Sequence, residues 1–275
     1  MNIAPSRLTS RVASFVACAL ALLLAAPAAA PAQMYRAGDV IQPFSLVNRA
    51  TGQPVSRDEL AGKIVFMEWF AWWCPFCQLA ARTVGPALRD AYPDGNPAGI
   101  EIIHVGVNLQ ANAESQTQNF LNNADFDVVL NDFTRALAGR FQNGGQPIFA
   151  IINGVAGSPS HDQWELLLHQ DGYGDLNFDD NLALFRAAID SVQPPPPRVN
   201  GITIGQGGSR SIELNIPAGH TATAEVSTNL MNWEPLRENL VGGGAPVTVQ
   251  DAETRPGGRA FYRINARRNA AGAAP

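Results

Sequence analysis

Hydrophobic positions in this chain come in short runs, and the period of each run predicts its element. Ile64–Phe70 is apolar at every position except Glu68. That is the pattern of a strand buried on both faces in the middle of a parallel sheet. Residues 99–108 alternate and are rich in β-branched side chains, which predicts a second strand. Residues 126–130 predict a third, and residues 149–152 with 164–169 a closing antiparallel pair. Residues 78–91, 113–122, 132–141 and 176–192 have helical composition, the first interrupted by Gly85 and Pro86. Strand and helix thus alternate as far as residue 192, the order of an α/β sheet joined by helical crossovers.

Residues 194–197 are all proline, and there the pattern changes. Such a run neither continues a helix nor joins a sheet, and it predicts a semi-rigid spacer of about 12 Å. Beyond it, residues 202–204, 211–216, 221–227, 246–250 and 260–265 are short alternating segments split by Gly, Pro and Asn turns. They predict a small all-β sandwich with no helix.

The start of the chain reads as a secretory signal peptide over residues 1–32. Arg7 and Arg11 precede an apolar core at 12–26, and Ala30-Pro31-Ala32 places cleavage before Gln33. The apolar run is short and Ala-rich against the roughly 20 apolar residues of a membrane span, which disfavours an anchor. Cys18 has a poor lead-in for lipoprotein cleavage. The expected division is signal peptide 1–32, α/β domain 33–192, linker 193–198, β-sandwich 199–268 and a disordered tail 269–275. The expected location is periplasmic or secreted, with no stable membrane insertion.

Removing Arg7 and Arg11 with that segment takes the formal charge from −5 to −7. Such a chain has nothing to attract nucleic acid or an anionic membrane. Lys63 is the only lysine, so a catalytic amine is excluded in practice. His104, His161, His169 and His220 show no triad or ligand spacing and read as structural or solvated.

The candidate chemistry is Cys74-Pro75-Phe76-Cys77, directly after the buried strand. Pro75 suits the first position of a helix, so Cys74 is expected at the helix start. There, unpaired amides and the helix dipole favour thiolate, making Cys74 the attacking sulfur and Cys77 the resolving one. A Cys-x-x-Cys pair in an oxidising compartment reads as a redox dithiol, since the loop it closes is too small to staple a fold. Structural zinc needs four ligands, and no second Cys pair or close His pair exists, so no metal and no cofactor are expected.

The segment from Trp73 to Cys77, behind its strand, resembles the thioredoxin superfamily. The resemblance runs over roughly residues 35–192. Residues 39–46 with Gly52, and 60–65, are similar to the lead-in of extracytoplasmic thioredoxin-like reductases of the cytochrome-c-maturation type. Gln146-Pro147-Ile148-Phe149, followed by Ile151-Ile152-Asn153-Gly154, resembles the family's cis-proline strand and turn. The family commonly carries a helix-kinking proline at the position of Arg82, whereas here Pro86 comes one turn later, so the surface beside the dithiol is expected to differ. The resemblance implies a thioredoxin-like fold, a central mixed sheet flanked by helices, and an exported thiol–disulfide oxidoreductase that reduces or isomerises disulfides in proteins. Its implied partners are protein thiols and disulfides and a redox partner protein.

Within that frame Glu68 stands six residues before Cys74, where the family's acid accepts the proton of the buried thiol. A merely satisfied polar group is the bland alternative, although a carboxylate costs several kcal/mol to bury unpaired. Pro147 is expected cis, with Gln146 offering its backbone to an incoming peptide. Trp73 and Phe76, with Trp72, are candidates for an apolar collar around the sulfurs. A thiol peroxidase of the peroxiredoxin type is the rival enzyme, but that family's Thr and Pro positions hold Ala71 and Met67. Ser227 to Trp233 and Phe261-Tyr262-Arg263-Ile264 weakly resemble a β-module found at the C-termini of secreted bacterial proteins. It carries the remaining alternative, a non-enzymatic protein that binds a protein or surface glycan through that module.

Overall fold

The computed structural model describes residues 34–141, 145–172, 178–217, 219–243, 245–253, 255 and 258–269. The expected signal peptide, Leu176 at the expected start of the last helix, and residues 270–275 of the expected tail lie outside the described residues.

Seven strands form one mixed sheet: β1 (Ser45–Asn48), β2 (Pro54–Ser56), β3 (Ile64–Phe70), β4 (Ile102–Asn108), β5 (Val128–Asn131), β6 (Ile148–Asn153) and β7 (Leu166–Asp171). Across the sheet the order is β2-β1-β5-β4-β3-β6-β7. β3, β4 and β5 run parallel, and β6 and β7 close the sheet antiparallel. The helices are α1 (Pro75–Ala91), α2 (Glu114–Leu121) and α3 (Phe178–Asp190). β4, β3, β6 and β7 with α1 and α3 make the thioredoxin-like arrangement. β5 extends it past β4 and pairs on its far side with β1 of the lead-in hairpin.

The period of 2 along β3 sorts its buried side chains. Val65, Met67 and Trp69 enter an apolar cluster with Ile41, Leu130 and Phe141. Ile64 and Phe66 point the other way, packing with Val84 of α1, Phe149 of β6 and Phe185 of α3. Phe70 continues that face toward Cys77, Ala81 and Phe120. No helix among the described residues is long and apolar enough to cross a membrane.

Two helix expectations need correction. α1 is not interrupted: it runs through Gly85 and Pro86. A proline ring crowds the Cβ of the residue before it, and Gly85 has none, which removes that obstacle to helical geometry. Residues 132–141 hold only the 3₁₀ turn Ala138–Arg140. The carboxylate of Asp132 accepts the backbone N–H of Ala136, Leu137 and Ala138 at 2.8, 3.2 and 2.7 Å, and Arg135 takes the left-handed conformation with φ 56°. Those amides serve a side chain instead of a helical ladder.

Beyond the proline run lie β8 (Arg198–Ile204), β9 (Arg210–Asn215), β10 (His220–Ser227), β11 (Glu234–Val241), β12 (Val247–Asp251) and β13 (Phe261–Arg268). They form two three-stranded sheets, β11-β10-β13 and β12-β9-β8, around Ile212, Leu214, Ile216, Ala222, Ala224 and Val249. β11 is the strand the hydrophobic pattern did not announce. It is an edge strand with mostly exposed side chains, and Asn239 breaks its alternation at φ 55°.

The exit from α3 is fixed by buried Asn96. Its amide donates to the carbonyls of Ile189 and Val192, both at 2.9 Å, while its side-chain oxygen accepts the N–H of Ala98 and Ile100. Gln193 donates its backbone N–H to Ser160 Oγ at 3.1 Å. A methyl placed on Gly219, before β10, would lie 3.9 Å from Gly99, before β4.

Candidate active site

β3 delivers the chain into a turn that ends at Cys74. Cys74 is the N-cap of α1, in extended conformation, with Pro75 at the first helical position. Its Sγ accepts the backbone N–H of Cys77 at 3.2 Å, one of the donors that a helix start leaves without a partner. The Cys74 thiol donates in turn to the carbonyl of Gln146 at 3.6 Å. Both cysteines are free thiols. Cys74 is 5% exposed and Cys77 fully buried, so Cys74 is more covered than its place at the helix start suggested, yet it is the sulfur that reaches the surface.

A groove runs over Cys74. It is lined by Trp73, Pro75, Phe76, Gln146 and Gly172, and its walls are mainly apolar. Trp73 and Phe76 are 54% and 60% exposed, unusually open for large apolar side chains. The Gln146–Pro147 peptide is cis, and Pro147 leads straight into β6 beside β3. Trp72 does not line the groove but a separate cleft with Gln78 and Phe120, and its carbonyl accepts the side-chain amide of Gln78.

Glu68 lies beneath α1, on the face of β3 that carries Phe66 and Phe70. Its neighbours in the sheet are Gly106 on β4 and Phe149 on β6. It is fully buried, and neither carboxylate oxygen has a hydrogen-bond partner. Desolvation pushes its pKa up, partly offset by His104. The Cys77 thiol is also pushed up, first by burial, then by its hydrogen bond to Cys74, with the Glu68 charge adding to the shift. A buried thiol and a buried acid thus each disfavour charge, and where only one proton remains, sharing it lowers the cost of the single negative charge left behind.

His104, read as structural or solvated, is buried, and its Nε2 stands 3.8 Å from Glu68 Oε2 with no hydrogen-bond partner. The signal that could have found it is a single ionisable residue in each of two neighbouring apolar strands, β3 and β4. His161 and His169 fit the structural reading, His161 between Glu165 and Ser191 and His169 beside Asp171. Among the described residues, no group of His, Cys, Asp and Glu could hold a metal ion.

No family model matches the chain, and no curated protein matches it. Solved structures do. A protein from Chlorobium tepidum, provisionally named thiol:disulfide interchange protein DsbE, is 22% identical over 56% of this chain and 98% of its own, with a TM-score of 0.42. A secreted Mycobacterium tuberculosis disulfide oxidoreductase, described as homologous to E. coli DsbE, is 20% identical over 53% and 95%, with a TM-score of 0.40. The thioredoxin domain of a Bacteroides vulgatus thiol-disulfide oxidoreductase is 14% identical over 56% and 99%, with a TM-score of 0.43. At these scores the fold rests on the strand order and the helix start at Cys74: the protein has a thioredoxin-like fold with a dithiol at the position where that fold carries one.

Proposed function

We propose that this protein is an exported thiol–disulfide oxidoreductase that reduces or isomerises disulfides in other proteins. The observation that carries the reading is the asymmetry of the dithiol: Cys74 opens onto an apolar groove at a helix N-terminus, while Cys77 lies buried behind it near an unpaired carboxylate. An extended segment of a substrate would lie along Trp73 and Phe76 and pair with the backbone at Gln146, beside Pro147.

In the reducing direction, Cys74 thiolate attacks one sulfur of the substrate disulfide. That S–S bond breaks, one substrate sulfur leaves as thiolate and takes a proton, and a mixed disulfide to Cys74 remains. Cys77 then gives its proton to Glu68 and attacks Cys74 Sγ. The second substrate sulfur leaves, two electrons have moved to the substrate, and Cys74–Cys77 is a disulfide. A partner protein dithiol restores it by the same exchange in reverse. The apolar groove also supports the reading, because it excludes water from the mixed disulfide while leaving room for a peptide.

The test is trapping. Cys77→Ser should accumulate mixed disulfides through Cys74, and Cys74→Ser should accumulate none. Equal trapping by the two variants would refute the division of roles.

A further inference from the structure

Glu68 has no path to water of its own. It is enclosed by α1 and its two neighbouring strands, and both its oxygens lack partners. A carboxylate that receives a thiol proton in such a place must pass it on before the next turnover. The other unpartnered polar atom beside it is His104 Nε2, at 3.8 Å. The imidazole is held edge-on by Phe66 and Phe126, with ring centroids 4.7 and 4.9 Å away. Its Cε1–Nδ1 edge lies against Gly85 of α1, where a Cβ would come within 2.7 Å of Cε1 and 3.0 Å of Nδ1. A glycine inside a helix costs about 1 kcal/mol relative to alanine, and here the imidazole occupies the space it leaves. His104 also lines a small surface cleft with Arg89, Tyr92 and Asp127. The ring therefore bridges from the unpartnered acid to the outside.

We propose that His104 is the proton relay between Glu68 and solvent, a positioning residue of the dithiol that acts through Glu68 and never touches the sulfurs. The proposal rests on the oxidoreductase reading given above. When the S–H bond of Cys77 breaks, its proton forms an O–H bond on Glu68. Glu68 hands that proton to the lone pair of His104 Nε2, which restores the carboxylate and leaves an imidazolium. The imidazolium releases its Nδ1 proton to water in the cleft. No electron moves at His104, and the path runs backwards when Cys77 is reprotonated. A turn of the Glu68 side chain or one bridging water closes the 3.8 Å gap, and neither partner has another hydrogen bond to break. The charged and titratable groups facing the ring are Glu68 from β3, Arg89 from α1, Tyr92 just after α1, and Asp127 ahead of β5. The Asp127 carboxylate accepts the backbone N–H of His104 at 2.8 Å, and both it and Asp125 pair with Arg89.

The experiment follows single-turnover reduction of insulin disulfides by the full-length protein from about pH 5.5 to 9, in wild type, His104→Gln and Gly85→Ala. Gln keeps hydrogen-bonding atoms but does not titrate. We expect His104→Gln to be slower by about tenfold or more at neutral pH, the scale of a lost general acid–base group. It should also keep the redox potential of the Cys74/Cys77 couple and recover rate when imidazole is added. Gly85→Ala gains helix propensity but displaces the ring, so it should show a smaller loss of the same kind. Superimposable pH profiles for wild type and His104→Gln, or a uniform loss without imidazole rescue, overturn the relay. If His104→Gln does not fold, an unchanged Gly85→Ala profile overturns it instead. A wild-type protein inert toward insulin at every pH overturns the oxidoreductase reading and the relay with it, whereas an active wild type with an unmoved His104→Gln overturns the relay alone.

Discussion

Each of the two β regions buries a carboxylate completely, and the two are treated in opposite ways. Asp251, at the end of β12, accepts the Tyr262 hydroxyl at 2.7 Å, Arg255 Nη2 at 3.3 Å and the Glu253 N–H at 3.2 Å. Burial pulls its pKa up, but those donors more than offset it and hold the group below its ordinary value. Glu68, in the middle of β3, has no donor at all and is held above its ordinary value by desolvation. A buried acid wrapped in donors is fixed as an anion and serves the fold. One left without donors can hold or lose its proton, which makes it a candidate for moving protons.

The comparison breaks most visibly at the sulfurs. Cys74→Ser should abolish disulfide reduction outright while leaving the sandwich unaffected, measured as insulin turnover. Glu68→Gln should come next, with turnover lower by about tenfold to a hundredfold above neutral pH, the range of a lost proton acceptor. Its stability effect has the opposite sign. The folded acid keeps its proton at pH values where the unfolded one has lost it, so wild-type stability falls as pH rises above the ordinary carboxylate range. Glu68→Gln escapes that fall, and its melting temperature should gain on wild type between about pH 4 and 8. A constant difference across that range would show that Glu68 is not desolvated as described.

Asp251→Asn should leave insulin reduction at the wild-type rate and cost about 2 kcal/mol of stability at neutral pH, the scale of hydrogen bonds to a charged group. Here the folded pKa is depressed, so the anion's contribution is present above the ordinary Asp value and fades as pH falls through the folded one. The gap in denaturant midpoint between wild type and variant should therefore narrow below about pH 4. The smallest effect is expected from ending the chain at Val192. The region before Val192 carries the dithiol, Glu68 and Pro147, so reduction of a generic disulfide should persist near the full-length rate. Residues 199–268 alone should fold as a cysteine-free sandwich with no redox activity. Loss of most activity on truncation would instead mean that the approach of Gly219 to Gly99 marks a shared interface.

Most of the first sheet was legible because its signals are local. A seven-residue apolar run, a Cys-Pro helix start and a Gln-Pro before β6 each state their own element. The false helix at 132–141 failed for a local reason too: composition does not reveal that Asp132 will gather three amides. β11 escaped because an exposed edge strand has little alternation to show. Cys74, Cys77, Glu68, Trp73, Phe76, Gln146 and Pro147 could all be named as candidates because spacing along the chain singles them out. The approach of His104 to Glu68 could not, since it comes from the parallel pairing of Phe66 with His104 and Glu68 with Gly106, a relation between segments some 36 residues apart.

Asn96 carries a consequence for how the two β regions are joined. By binding the last carbonyls of α3 it makes Val192 a fixed anchor, so the proline run leaves from a set point with little freedom to sweep. The path of the chain from the redox sheet to the sandwich is thus set by one buried side-chain amide that serves four backbone groups at once. Removing that amide would free the end of α3 and lengthen the effective linker without altering a single atom of the dithiol itself.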